Sequence, residues 1–352
     1  MSTFISFGKG IVLSFLSFLL FAVPTYAATS AVVSTPTPVY NPVRLFYYRD
    51  GELAKKSFFE HPSSIDIFAP QSYKINDDGT LSGTVEKDVL DFAKTHKIKV
   101  MPLVTNGGFS RVASKAFLGD SKREDIAIQG MLAEARDRGY WGWQFDFEQM
   151  DASDRDLYTA FIQKAYAAFK TQNLMLSVAV IAQVSENKND YKEGLWDSVI
   201  GVYDYRALSA SADFLSIMSY DDPDSKGAVA PFPWYERVFT WSLATIPNNK
   251  ISFGIPLYYW QWNDMTGKLV GIGGNEGIDN VFKNHKVTVT YDPVVKAPAL
   301  HYTKDGTPYT LWYENAKSIT EKLSLVKQNH LYGISAWALG LEVPSVHTVV
   351  KQ

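Results

Sequence analysis

The chain contains no cysteine among its 352 residues, so neither a disulfide bond nor a thiolate nucleophile can contribute to its stability or chemistry. Its six histidines are scattered, and no two have the helical spacing of a metal-binding pair, so no zinc motif is present. The net charge of −3 provides no basic surface for nucleic acid. We therefore expect a globular domain stabilised by its hydrophobic core, with no metal and no cofactor.

The first 42 residues differ from the rest of the chain. Lys9 precedes an apolar run at 11–23, and Thr25-Tyr26-Ala27 places small residues at the −3 and −1 positions of a cleavage site. We predict a signal peptide at 1–27, a flexible tether at 28–42, and export. An uncleaved membrane anchor is the alternative, although the run is shorter than the roughly 20 residues that span a bilayer.

From residue 43 onward, strand-like runs alternate with helical ones. This alternation predicts a parallel sheet with helices outside it, and eight units predict a (β/α)8 TIM barrel over 43–350. A β-rich stretch at about 263–312 predicts a small α+β insertion between strands seven and eight, on the catalytic rim, where it would wall a cleft. The eight strands are expected at 43–48, 65–69, 98–104, 143–147, 174–181, 214–219, 251–257 and 333–338.

Two local signals lie between these strands. A helix is expected to begin near Ser121, with the side chain of Ser121 as its cap and Glu124 at the capping-box position. The segment Asn106-Gly107-Gly108-Phe109 follows strand three, and we interpret it as a simple turn rather than part of a cleft.

The fourth strand carries the polar residues of greatest chemical interest. In Trp141-Gly142-Trp143-Gln144-Phe145-Asp146-Phe147-Glu148, the side-chain period of two places Gln144, Asp146 and Glu148 on one face. Neighbouring acids among apolar residues are costly to bury and suggest a site, although Asp-x-Glu alone also fits solvated acids on an edge strand. Glu148 falls at the C-terminal end of its strand, where barrels of this class have their active sites. Burial and the charge of Asp146 should raise the pKa of Glu148.

Three other strands carry matching motifs. They are Met218-Ser219-Tyr220-Asp221 on strand six, Gly254-Ile255-Pro256-Leu257-Tyr258 on strand seven, and Trp337 on strand eight. With the strand-four segment, they resemble glycoside hydrolase family 18, the chitinase-like barrels. That family has Asp-x-x-Asp-x-Asp-x-Glu, Met-x-Tyr-Asp, Gly-x-Pro-x-Tyr and Trp in the same order. The resemblance covers about 43–345, and residues 312–314 and 339–342 are similar to the branch that includes bacterial spore-wall and cortex glycosidases.

The resemblance implies substrate-assisted, retaining hydrolysis of β-linked N-acetylglucosamine glycans. Glu148 would protonate the glycosidic oxygen, Asp146 would orient the 2-acetamido group, and Tyr220 would bond the acetamido carbonyl. Trp337 would form the floor beneath the sugar at the cleavage point, and Asp221 would support the acids. The residues implied to bind substrate are Trp337, Tyr258, Asp221, Met218 and Gln144.

Two positions depart from the family pattern, because Trp141 and Gln144 stand where the first two acids would be. Gln144 can hydrogen-bond Asp146 without taking up charge, so Asp146 should remain ionised more readily than in a buried acid pair. The substitutions leave a second function open, a chitinase-like protein that binds glycans without cleaving them. As an enzyme, we expect an exported monomer that acts on peptidoglycan or another wall glycan first, and on chitin-like oligosaccharides second.

Overall fold

A closed barrel of parallel strands forms the centre of the protein. This structure is a computed structural model and describes residues 40–351, so the predicted signal peptide and nearly all of the predicted tether lie outside it. The strands are β1 (Val43–Tyr48), β2 (Ile67–Ile75), β3 (Leu81–Gly83), β4 (Lys99–Val100), β5 (Leu103–Asn106), β6 (Gly142–Asp146), β7 (Met175–Ile181), β8 (Phe214–Met218), β9 (Ile251–Pro256), β10 (Tyr259–Asn263), β11 (Lys268–Gly273), β12 (Thr288–Asp292), β13 (Ala297–Lys304), β14 (Thr307–Trp312) and β15 (Gly333–Trp337).

Helices follow most barrel strands and cover the outside of the sheet. They are α1 (Glu52–Glu60), α2 (Lys87–Thr95), α3 (Arg111–Phe117), α4 (Ser121–Arg138), α5 (Arg155–Lys170), α6 (Tyr205–Ala210), α7 (Phe232–Thr245), α8 (Asn275–Asn284), α9 (Ala316–Gln328) and α10 (Val346–Val349).

The barrel closes through parallel pairing of β1 with both β2 and β15. Its remaining order is β2, β5, β6, β7, β8, β9 and β15, with the short β4 also paired to β2. The first strand therefore lies between the second and the last, as a barrel requires, and the predicted (β/α)8 fold is confirmed.

The third barrel position differs from the single strand expected at 98–104. It is divided into β4 and β5 by Met101-Pro102. Proline has no backbone N–H to donate, but its carbonyl still accepts a hydrogen bond from the Gln144 amide at 3.0 Å. The predicted cap of α4 also needs correction, because Asp120 rather than Ser121 accepts the amides of Lys122 and Arg123 at the helix start.

Apolar side chains fill both faces of the barrel sheet, as expected for strands buried on two sides. Large aromatics and aliphatics of the outer face pack under the helices, where Trp143, Phe145 and Phe147 are all buried. A smaller set packs inside the barrel and includes Leu45, Tyr47, Ile67, Met101, Leu103 and Phe214.

Between β9 and β15 the chain forms a second sheet of five antiparallel strands. Its order is β11, β10, β14, β13, β12, and α8 packs against it. The indole of Trp262 donates to the carbonyl of Gly227 at 2.8 Å, and the amide of Asn275 donates to the carbonyl of Leu341 at 2.9 Å. The sheet is therefore attached to loops that follow β8 and β15, at the C-terminal ends of the barrel strands.

Candidate active site

The C-terminal ends of β6, β8 and β15 surround a cleft of about 350 Å³. Asp146 is the last residue of β6, and Glu148 lies two residues beyond it. Both line the cleft, together with Tyr220, Asp221 and Trp337. The cleft is thus at the barrel face where the strand-four acids were expected.

Asp146 is almost fully buried, and its one bonded partner among the described side chains comes from β2. The amide nitrogen of Gln71 donates to Asp146 Oδ2 at 3.3 Å. Burial raises the pKa of Asp146 to about 6, and the bond from Gln71 opposes this rise because it stabilises the carboxylate.

Gln144 does not bond Asp146, contrary to expectation. Its side chain lies deeper in the barrel, where its nitrogen donates to Ser177 Oγ at 2.7 Å. It is fully buried and does not line the cleft, so the structure does not place it where a substrate could touch it.

Among the acids that line the cleft, Glu148 has the pKa that is raised furthest above its ordinary value. Burial and then the negative charges of Asp146 and Asp221 raise its pKa to about 8. This agrees with the direction expected from the sequence. A carboxyl group that is protonated at neutral pH can donate a proton to a leaving group.

The backbone of Glu148 is held by the side chain of Asn106, at the end of β5. Asn106 Nδ2 donates to the Glu148 carbonyl at 2.8 Å, and Asn106 Oδ1 accepts the Glu148 amide at 3.0 Å. Asn106 Nδ2 also donates to Ser114 Oγ at 2.6 Å, which fixes the amide orientation. Residues 107–109 form a turn and none of residues 106–109 lines the cleft, as predicted. The sequence did not indicate that Asn106 holds the backbone of Glu148.

Tyr220 and Asp221 follow β8 and face the same cleft. Asp221 adopts a left-handed backbone conformation with φ of 60°, which is uncommon outside glycine and is found at functional sites. The hydroxyl of Tyr258 donates to Asp221 Oδ1 at 2.5 Å. Burial raises the pKa of Asp221, and this bond opposes the rise. Tyr258 does not line the cleft, so it acts on the site by holding Asp221.

Trp337 and Met218 complete the apolar part of the cleft. Trp337 is the last residue of β15, and its ring lies 5.1 Å from the ring of Tyr47 between centroids. The exposed face of its indole can stack on the apolar face of a sugar ring.

Trp141 lies at the opposite end of β6 from the acids. Its half-buried ring packs under the ammonium of Lys99, which lies 4.3 Å from the ring centroid. The substitution at this position is therefore a packing change, away from the cleft.

One wall of the cleft was not anticipated. It comes from the long connection between β7 and β8 and from α7. The insertion at 263–312 was expected to wall the cleft, but this was wrong, because none of its residues lines the cleft. Its side chains are mixed aromatic and charged, without a local pattern that distinguishes a cleft wall from an ordinary loop. The wall includes Asp190, Tyr191, Lys192, Leu195, Trp234 and Arg237.

Comparisons with known proteins agree with this geometry. The uncharacterized glycosylase YvbX of Bacillus subtilis is 26% identical over 316 residues, which are 87% of this chain and 90% of that protein. The cortical fragment-lytic enzyme of Bacillus subtilis is 27% identical over 283 residues, 78% of this chain. This chain spans 64% of the length of that enzyme.

The barrel is also shared with a chitinase of solved structure. The chitinase from Chromobacterium violaceum superposes with a TM-score of 0.78 at 28% identity, covering 88% of this chain and 98% of that one. The sequence profile of glycosyl hydrolases family 18 matches residues 44–342, nearly the whole barrel with its insertion. The resemblance seen in the sequence is thereby confirmed, and the chain belongs to family 18 of the glycoside hydrolases.

Proposed function

We propose that the protein is a retaining glycosidase that cleaves glycans containing β-linked N-acetylglucosamine by substrate-assisted catalysis. The observation that carries this proposal is that Glu148, Asp146, Tyr220 and Trp337 line one cleft. Burial and neighbouring negative charges, which raise the pKa of Glu148 to about 8, support it. A protonated acid, a second carboxylate, a hydroxyl and an aromatic platform are the groups that such a reaction needs.

In the first step Glu148 donates its proton to the glycosidic oxygen as the bond from that oxygen to the anomeric carbon breaks. The acetamido carbonyl oxygen of the sugar bonds to the anomeric carbon, and an oxazolinium ion forms. The Asp146 carboxylate holds the acetamide N–H and balances the developing positive charge, while the Tyr220 hydroxyl orients the carbonyl. An amide oxygen is a weak nucleophile, so this orientation supplies much of the rate.

In the second step water attacks the anomeric carbon and gives a proton to the Glu148 carboxylate. The oxazolinium ring opens, the acetamide is restored, and the product keeps the β configuration. Glu148 ends the cycle protonated, as it began.

The glycan is proposed to be peptidoglycan or a related wall polymer, with chitin-like oligosaccharides second. The name of the cortical fragment-lytic relative supports the first choice, and the chitinase of similar structure supports the second. Export through the predicted signal peptide at 1–27 would bring the enzyme to such a polymer. None of the helices formed by residues 40–351 is both long and apolar enough to cross a membrane.

The test is hydrolysis of a fluorogenic N,N′-diacetylchitobioside and of purified peptidoglycan by the wild type and by Glu148→Gln. Loss of the proton donor should lower kcat by about 10²- to 10⁴-fold, since general acid catalysis contributes that much. Glycan binding to Glu148→Gln should persist, because the amide preserves the shape of the side chain.

The mechanism is tested separately with a substrate that has a free amine in place of the acetamide. Turnover should be abolished, because the amine cannot form the oxazolinium ring. Continued hydrolysis of that substrate would reject substrate assistance. Binding without hydrolysis of any N-acetylated glycan by the wild type would reject the proposed enzymatic function.

A further inference from the structure

Arg237 brings a positive charge to the wall of the cleft. It lies in the second turn of α7 and lines both the 350 Å³ cleft and an adjoining, more open groove of about 450 Å³. Lys192 on the same wall is paired with Asp224 at 3.0 Å. Within residues 40–351, by contrast, no carboxylate lies within 4.0 Å of the Arg237 guanidinium. Burial raises the pKa of Asp222, and the positive charge of Arg237 is one of the groups that oppose this rise.

The two walls beside Arg237 are held by hydrogen bonds. On α7, the indole of Trp241, one turn further along, donates to Gln183 Oε1 at 3.4 Å. Opposite it, the amide of Val184 donates to the hydroxyl of Tyr191 at 2.9 Å. The groove is therefore formed before a ligand arrives, which reduces the entropy lost on binding.

Trp234 lies three residues before Arg237, so the two side chains share one face of α7. Trp234 is half-buried and also lines the cleft. An indole can stack on a sugar ring, and a guanidinium binds a carboxylate through two parallel hydrogen bonds. Together they are suited to a sugar that carries a carboxylate substituent.

Two acids of this wall have partners other than Arg237. Asp190 accepts the hydroxyl of Ser185 at 2.5 Å, and Asp224 pairs with Lys192. Glu148, the acid of the catalytic centre, is mostly neutral at pH 7 because its pKa is about 8.

We propose that Arg237, with Trp234, selects glycans in which a sugar near the cleavage point bears a carboxylate, over uncharged N-acetylglucosamine polymers. The 3-O-lactyl ether of N-acetylmuramic acid has this chemistry. The inference rests on the proposed function and makes it more specific, because it favours a peptidoglycan-type strand over a chitin-type one.

The experiment compares a peptide-free oligosaccharide of alternating N-acetylglucosamine and N-acetylmuramic acid with an N-acetylglucosamine oligomer of equal length. Arg237→Gln should lower kcat/KM for the first by about three- to fivefold, mainly through KM, because it removes a charge-assisted pair at an exposed site. The effect on the second should stay below twofold. Arg237→Lys should retain part of the preference, since it keeps the charge but loses the planar fork.

Amidation of the lactyl carboxylate provides the matched change on the substrate. The wild type should lose the same factor on the amidated oligosaccharide, whereas Arg237→Gln should not distinguish amide from acid. Arg136→Gln, which removes an exposed arginine paired with Asp137 on α4, serves as a control for net charge.

The same comparison is made for binding in the Glu148→Gln background by calorimetry, so that the inference is tested even without turnover. Equal loss on both glycans, or no discrimination between acid and amide by wild type, would overturn the role of Arg237 and leave the proposed hydrolysis intact. Selective binding of the acid through Arg237, with no hydrolysis by the wild type, would support the inference and reject the hydrolysis.

Discussion

Replacing Asn106 tests whether its side chain positions Glu148 for proton transfer, because the carboxyl group of Glu148 itself stays unchanged. Asn106→Ala leaves the partly buried amide and carbonyl of Glu148 without the bonds of 3.0 and 2.8 Å that hold them. Each unsatisfied group costs about 1–3 kcal/mol, which the loop can relieve only by moving. A displacement near 1 Å at a reacting group costs about 10²-fold in rate. We therefore expect kcat about 10²-fold lower, with KM changed by less than about threefold.

The assay is hydrolysis of the fluorogenic chitobioside, with thermal unfolding measured in parallel. Asn248→Ala is the matched control, because Asn248 also donates to a backbone carbonyl, that of Asn329, but before β9, at the opposite end of the barrel. It should lower Tm without lowering kcat. A normal kcat in Asn106→Ala, or an equal loss in both variants, would refute the positioning role of Asn106.

Three further predictions concern titration and capping. The pH profile of kcat/KM should be bell-shaped, rising near pH 6 as Asp146 ionises and falling near pH 8 as Glu148 loses its proton. Because the two acids are coupled, both limbs belong to the pair rather than to one residue. A flat profile from about pH 5 to 9 would contradict this prediction. Asp221→Asn removes a negative charge that raises the pKa of Glu148, so the alkaline limb should move to lower pH, and a shift upward would reject that cause. Asp120→Ala should lower the free energy of unfolding in urea by about 1 kcal/mol and Ser121→Ala by much less, whereas the reverse order would restore Ser121 as the cap of α4.

Barrel strands were predictable where burial on both faces produces a continuous apolar run between polar loops. The expected strand at 65–69 ended too early, at the residue before Pro70. In the structure β2 continues to Ile75, and Pro70 pairs with Tyr48 on β1. The residues gained by this continuation include Gln71, the partner of Asp146, so an error at a strand end concealed a residue of the site.

The site itself was predictable only in part. Alternation correctly placed Gln144 and Asp146 on one face, because the side-chain period of a strand is a local property. Which partner each side chain meets depends on the closure of the barrel, which brings Ser177 to Gln144 and Asn106 to Glu148. Such contacts join residues more than 30 positions apart, and periodicity carries no information about them.

The five-stranded sheet leaves and rejoins the barrel at adjacent points. β10 begins directly after Tyr258, and Trp260 on β10 pairs with Trp312 on β14, so the two ends of residues 259–312 are about one strand spacing apart. For the barrel, this module is therefore equivalent to a short loop. Its internal length adds little to the conformational entropy that is lost when β9 pairs with β15. A change in the length of this module would not displace Tyr258 from Asp221. The rim of the barrel can therefore vary while the position of Asp221 in the cleft is kept.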